Sequence, residues 1–326
     1  MDVSQIAKRF PLVARPRPAC PPLAERVREI TDLAAAAERD GNVTSATVAL
    51  NKAALIASDC GMPDLARTLC WRHAGAYRLL DSLNRAVKSQ TEAVIDDRTM
   101  SFQQLTQSAA DHQQVCQWLW TVLLGDGTRA LVAAGQWDRA RAHSEQHRAV
   151  GQRLFDGRQV EVLVRCLGGR PGEALEFLNK STTTEDWERS VASCLTVLCH
   201  TAAGKHLDGP IETMVKHYLA LDAASELAVF RTRLGLAVLD LSSRTHRSEA
   251  LRRLTHEATT NGDGYVARDV LAHPVCREEL SHDELVTLST AVASAGLGQG
   301  RIPTHLEQDL WDAASVSTDV WERHFT

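Results

Sequence analysis

The chain has 326 residues, of which 44% are hydrophobic and 24% charged, with a formal net charge of −5; this is enough apolar material for a sizeable folded core. An acidic balance, with a pI of about 6.2, lacks the basic stripe that phosphate backbones require. No apolar run reaches the roughly 20 residues that span a bilayer, so neither nucleic acid nor membrane is expected as a partner.

The opening segment MDVSQIAKRFPLVARPRPACPP is broken by charges and prolines and has no signal-peptide core. Residues 1–22 are therefore expected to form a poorly ordered, flexible arm. The eight cysteines, at 20, 60, 70, 116, 166, 194, 199 and 276, include no CxxC pair. Their apolar surroundings point to small core residues in a reducing cytoplasm, with no metal site and no cofactor expected.

From Leu23 onward, apolar residues recur at i, i+3, i+4 and i+7, the spacing of one helix face. This predicts helices over Leu23–Arg39, Val43–Ser58, Pro63–Leu83, Glu185–Ala203, Ile211–Ala220, Ser225–Leu241, Glu249–Thr260 and Asp283–Ala295. Aromatic residues make up only 5% of the chain and alternating strand patterns are scarce. The expected class is all-α, with residues 23–326 as a single helical-repeat domain whose clearest repeats span 40–260.

A repeated turn carries the repeat reading. CGMPDLA sets Gly61 five residues before Ala66, GQWDRA sets Gly135 before Ala140, and GRPGEA sets Gly169 before Ala174. Glycine closes one helix in the left-handed conformation, and the small alanine lets the next helix approach. Gly135 and Gly169 lie 34 residues apart, the tetratricopeptide period; SRTHRSEALRRL offers a degenerate copy with Thr245 and Ala250. The expected architecture is a tetratricopeptide-like α-solenoid of antiparallel helix hairpins with irregular repeats. One irregularity falls at CWRHAGAYRLLDSLNRAV, read either as one long helix over Pro63–Leu83 or as a local compression of the array.

The segments LIASDCGMPDLARTLCWRH, YRLLDSL, WLWTVLLGDGTRAL and LFDGRQV together resemble a group of actinobacterial tetratricopeptide-like proteins encoded near specialised-metabolite biosynthetic genes. The resemblance covers about residues 40–200 and implies a fold and a setting. A weaker likeness is to the cofactor-free aziridine-forming cyclase of azinomycin- and ficellomycin-type pathways, which acts with a small partner protein. No residue is carried over from it.

Two groups of residues are candidates for chemistry. On a helix, Asp111, Trp118 and Arg129 share one face, and His112 and Asp126 a neighbouring one. With Trp118 and Trp120 they compose a pocket of aromatic walls, a carboxylate and a guanidinium. Alternatively, Gly125-Asp126-Gly127 ends one helix and Asp126 caps the next. The second group is Asp156, Arg158 and Gln159, with Asp156 as a cap, and Trp187 one repeat further on. Arg158, Gln159 and Trp187 are expected on the same groove as Arg129. His143 and His147 lie one turn apart with Glu145 between them, which is not the HExxH order, and are assigned to an exposed helix face. SHDE at Ser281–Glu284 is a capping box.

Two functional readings follow. The first is a soluble binding or adaptor protein that holds a peptide, a protein or a small-molecule metabolite in a concave groove, with Trp118, Trp120, Arg129, Arg158, Gln159 and Trp187 as ligand contacts. The second is a cofactor-free enzyme of intramolecular cyclisation, in which an amine displaces an anionic leaving group. There Asp126, Asp111 or His112 takes the proton and Arg129 or Arg158 steadies the departing anion.

Overall fold

The computed structural model describes residues 3–12, 19–69, 84–95, 98–103, 108–123, 127–147 and 150–325. The fold class is all-α. Its helices include, in chain order, α1 (Val3–Arg9), α2 (Leu23–Asp40), α3 (Val43–Asp59), α4 (Pro63–Leu69), α5 (Ala109–Val122), α6 (Thr128–Ala133), α7 (Trp137–Gln146), α8 (Asp156–Leu167), α9 (Pro171–Asn179), α10 (Asp186–Ala202), α11 (Asp208–Leu219), α12 (Ala228–Leu241), α13 (Ser248–Asn261), α14 (Gly264–Leu271), α15 (Pro274–Glu279), α16 (His282–Ser294) and α17 (Thr304–Phe325). A two-stranded antiparallel hairpin, β1 (Glu92–Ile95) and β2 (Arg98–Ser101), precedes α5. Among the described residues no helix is long and apolar enough to cross a membrane.

Most expected helices appear within one to three residues of the predicted ends. Ser225–Leu241 differs, since it opens with a 3-10 turn at Ser225–Leu227 before α12 begins. The capping box at α16 is present, with Ser281 and Glu284 satisfying each other's backbone amides. The irregular stretch after Cys70 lies outside the described residues.

The glycine–alanine turns have the expected geometry. Gly61, Gly135 and Gly169 take φ of 78°, 68° and 77°, and Ala66, Ala140 and Ala174 are fully buried. After each helix two amides turn back onto its last carbonyls, as when Gln136 donates to Leu131 O at 2.9 Å; this is the Schellman closure. The same spacing recurs unforeseen at Gly41/Ala46 and Gly262/Ala267. It marks a tight helix–helix junction rather than the repeat period, because Gly41 and Gly61 close successive helices, α2 and α3.

Residue contacts divide the chain into two compact units, Met1–Arg17 with Gly75–His256, and Pro18–Ala74 with Glu257–Thr326. This division differs from the expected single domain over 23–326, because the early helices pair with the last ones rather than with the middle of the chain. In the second unit α17 packs against both α2 and α3. Their shared core includes Val27, Ile30, Ala53, Ile56, Leu310 and Ala313; the alanine-rich seam of α3 lets the helices approach closely. In the first unit each helix packs on the next from α6 through α12. Its core runs through Val160, Leu163, Val191, Leu195, Met214, Leu234 and Val238.

Gly235 is a point of close helix approach in that array. A Cβ there would strike the Tyr218 hydroxyl of α11 and lie 2.9 Å from Leu254 Cδ2 of α13.

Candidate functional site

Helices α6, α8, α10 and α12 are each followed by a helix that packs back on them, or, for α12, by α13. They also pack on one another in turn, α6 on α8, α8 on α10 and α10 on α12. They therefore form one continuous row. Lying across this row, in contact with all four helices, is α1. The segment expected to be a poorly ordered arm is thus helical over Val3–Arg9. Its apolar residues explain why: Ile6, Ala7, Phe10 and Leu12 are 4% exposed or less, and 6, 7 and 10 share a helix face.

One ion pair and one packing contact mark the seating of α1. Arg9 reaches the Asp240 carboxylate on α12 at 3.1 Å. The Lys8 chain crosses Gly135 so closely that a Cβ at that glycine would lie 2.8 Å from Lys8 Cε. Leu12, just beyond the helix, has φ of 56°. This left-handed conformation is costly for a non-glycine residue, and its complete burial holds it there.

At the leading ends of α8, α10 and α12 lies an aromatic row. Phe155 stacks on Trp187 with ring centres 6.3 Å apart, and Trp187 meets Phe230 edge-on at 6.3 Å. The Arg153 guanidinium sits 4.6 Å over the Phe155 ring, and Arg153 pairs with Glu185 at 2.6 Å and Glu188 at 3.0 Å. Glu188 is fully buried and also accepts from the Thr184 and Glu185 amides and the Thr184 hydroxyl. Burial works against its ionisation, but the bonds from Arg153 and these donors outweigh that cost and hold its pKa at about 2.

The residues singled out from the sequence fall in different places. Asp126 lies outside the described residues. Asp111 and Trp118 belong to α5, and their side chains lie outside the described set. His112, half-buried, has Nε2 3.5 Å from Cys116 Sγ one turn on, while Trp120 of the same helix is exposed. Arg129 is half-buried on α6.

Arg158 and Gln159, read as groove residues, are buried inside the unit. Arg158 donates to Ser181 Oγ at 2.6 Å, to Gly151 O at 2.8 Å and to Phe177 O at 3.0 Å, and lies 4.2 Å from the Phe177 ring centre. Burial, then the neighbouring Arg165, lowers its pKa. Gln159 donates to Leu154 O at 2.8 Å. The reason is that α8 is enclosed by α6, α7, α9, α10 and α1, so no face of it is left to line an open groove. Asp156 is the first residue of α8 rather than its cap, a position held by Phe155. Trp187 does stand at a surface, half-buried, with its indole N–H donated to Glu185 at 2.8 Å.

His143 departs from the exposed face expected of it. It is 1% exposed, and its Nε2 donates to Leu123 O at 3.1 Å. Its ring meets that of His147 edge-on at 4.6 Å. Among the described residues no three His, Cys, Asp or Glu side chains are grouped for a metal, and the cysteines are free thiols. An open hollow of about 430 Å³ is lined by Ser193, Thr196, Gly209, Pro210 and Thr213. Beside it Ser193 Oγ lies 3.3 Å from His217 Nδ1. The same hydroxyl also lies within hydrogen-bond distance of the Arg189 and Ser190 carbonyls, at 3.1 and 2.9 Å.

A second polar cluster, in the other unit, joins Arg26 to Asp59 at 2.5 Å, with the Tyr265 hydroxyl also donating to Asp59. Asp263 accepts from Cys20 N at 3.1 Å and caps α14 through the amides of Tyr265 and Val266. Burial and the bond to Asp59 push the Tyr265 pKa up, and burial raises the Cys60 thiol to about 11. The Cys60 thiol is therefore un-ionised and unreactive at neutral pH.

Comparison with protein-family models, with curated proteins and with solved structures returns no match. The assignment of function accordingly rests on the residues themselves. The seated α1 was missed because prolines and charges dominate the composition of the opening segment that contains it. The Ile6, Ala7, Phe10 spacing was the available signal.

Proposed function

We propose that this chain is a tetratricopeptide-like binding or adaptor protein that holds a short helical segment of a partner protein across the row formed by α6, α8, α10 and α12. The observation that carries this reading is α1 itself. A short amphipathic helix lies across that row with Ile6, Ala7, Phe10 and Leu12 buried. A row that buries one short helix through a few apolar anchors has the chemistry of a helix-in-groove recognition surface. The left-handed glycines and buried alanines of the junctions at Gly135/Ala140 and Gly169/Ala174 are consistent with a helical-repeat scaffold. Given the resemblance described above, the partner belongs among proteins of a specialised-metabolite pathway.

The test uses a fluorescein-labelled peptide of residues 1–16 and a chain lacking residues 1–12. Anisotropy should show saturable binding in the micromolar range, weakened by Asp240→Arg. Absence of saturable binding up to about 1 mM, by a truncated chain that keeps its helical circular dichroism, would refute the reading.

A further inference from the structure

The way α1 is held says more than that the row accepts a helix. The other helices of this unit from α6 to α12 sit beside a sequence neighbour, whereas α1 lies across members of several successive hairpins. We propose that α1 is a resident competitor on this face, and that the partner is an amphipathic helix of the same chemistry that must displace it. The proposal rests on the reading of the preceding subsection and adds the identity of the occupant and its regulation.

Three features favour a seat that can be vacated. A helix of seven residues is not stable in water by itself, so α1 exists as a helix only while its apolar side is covered. Its polar clamp is a rim contact: Arg9 is 53% exposed where it meets Asp240, and exposed ion pairs give register more than affinity. Finally, Leu12 is retained in a left-handed conformation that release would relieve.

The same features define the partner. It needs a branched aliphatic residue, a small residue beside it, a cation three positions after the aliphatic one and an aromatic four positions after it. These are the places of Ile6, Ala7, Arg9 and Phe10. The cation faces Asp240, and the small residue allows close approach to the row. The tether supplies α1 at an effective concentration of order millimolar, so an external helix with micromolar intrinsic affinity competes against a mostly occupied site.

The experiment measures binding of the labelled 1–16 peptide to the full chain, to the chain lacking residues 1–12 and to the full chain carrying Arg9→Glu. The truncated chain is expected to bind at least tenfold more tightly than the full chain. Arg9→Glu, which keeps α1 attached but loosens its clamp, is expected to tighten peptide binding a few-fold. In the full chain Asp240→Arg is expected to prefer a peptide carrying Arg9→Glu over the unaltered one. Equal affinity of full and truncated chains would overturn the competitor role while leaving the binding function standing. Absence of binding by every folded variant would overturn both. If the truncated chain fails to fold, unchanged affinity in Arg9→Glu is the overturning result.

Discussion

The carboxylate of Glu188 offers the sharpest quantitative test of the site region. It is fully buried and accepts four hydrogen bonds, from Arg153 at 3.0 Å, from the amides of Thr184 at 2.8 Å and Glu185 at 3.0 Å, and from the Thr184 hydroxyl at 3.0 Å. Glu188→Gln preserves shape but removes the charge and turns one acceptor into a donor, which then faces either Arg153 or the Thr184–Glu185 amides. Hydrogen bonds to a charged group contribute about 1.5–3 kcal/mol each, and Arg153 is exposed enough (36%) to regain water. The net loss expected is about 3 kcal/mol, read as a fall in Tm of roughly 6–12 °C by the usual scaling for domains of this size.

The pH dependence gives an independent check on the same residue. Its folded pKa, about 2, lies below that of an unfolded glutamate, so its contribution is present in full above about pH 4.5. It is lost as pH falls from there through about 2. Urea midpoints between pH 5.5 and 2.5 should therefore drop more steeply in the parent than in Glu188→Gln. A variant within about 0.5 kcal/mol of the parent, or one with the same pH slope, would refute this account.

Two glycines should respond in opposite directions to the same change. Gly235→Ala is expected to destabilise by about 1–3 kcal/mol, because its Cβ meets the buried Tyr218 and Leu254 with no room to relax. Gly209→Ala, in the first turn of α11 with nothing within 4 Å of a Cβ, should be neutral or stabilise by up to about 1 kcal/mol; thermal melts of both distinguish packing from propensity. In the other unit, Asp59→Ala leaves Arg26, only 8% exposed, without its carboxylate. A loss of about 3–5 kcal/mol is expected from stranding a buried charge, measured by urea denaturation.

Much of the helical framework was legible in the chain, and for a physical reason. Apolar spacing and glycine closure are local signals, so α2, α3, α10 and α16 emerge close to their predicted ends. The junction chemistry was even under-read, since Gly41/Ala46 and Gly262/Ala267 follow the same rule. What could not be read depends on contacts distant in sequence. The pairing of residues 18–74 with 257–326 leaves no periodic trace in either segment. Arg158 and Gln159 read as groove residues because they open the first helix of a hairpin, the helix that lines the concave side of a solenoid. Their polar atoms are instead taken up by Gly151, Leu154, Phe177 and Ser181, and that arrangement exists only once α8 is surrounded. Trp187, read as a groove residue at the start of its helix, is half-buried there and stacks on Phe155.

The enclosure of α8 and the seating of α1 are two sides of one arrangement. A helix amphipathic in sequence becomes buried all round when neighbours cover its second face, and α1 is one of those neighbours. If α1 leaves, apolar surface on α6, α8, α10 and α12 meets water, at a cost of about 25 cal/mol for each Å² uncovered. That penalty opposes an empty face far more than it opposes exchange of one helix for another. The row is thus suited to being occupied at all times, by α1 or by a replacement that brings the same anchors. Exchange then depends on the difference between two similar helices, and small differences are enough to switch occupancy: about 1.4 kcal/mol shifts the ratio tenfold. The strain at Leu12 is a contribution of that size and tilts the balance toward an incoming helix, while the exposed Arg9 clamp holds α1 only weakly against it.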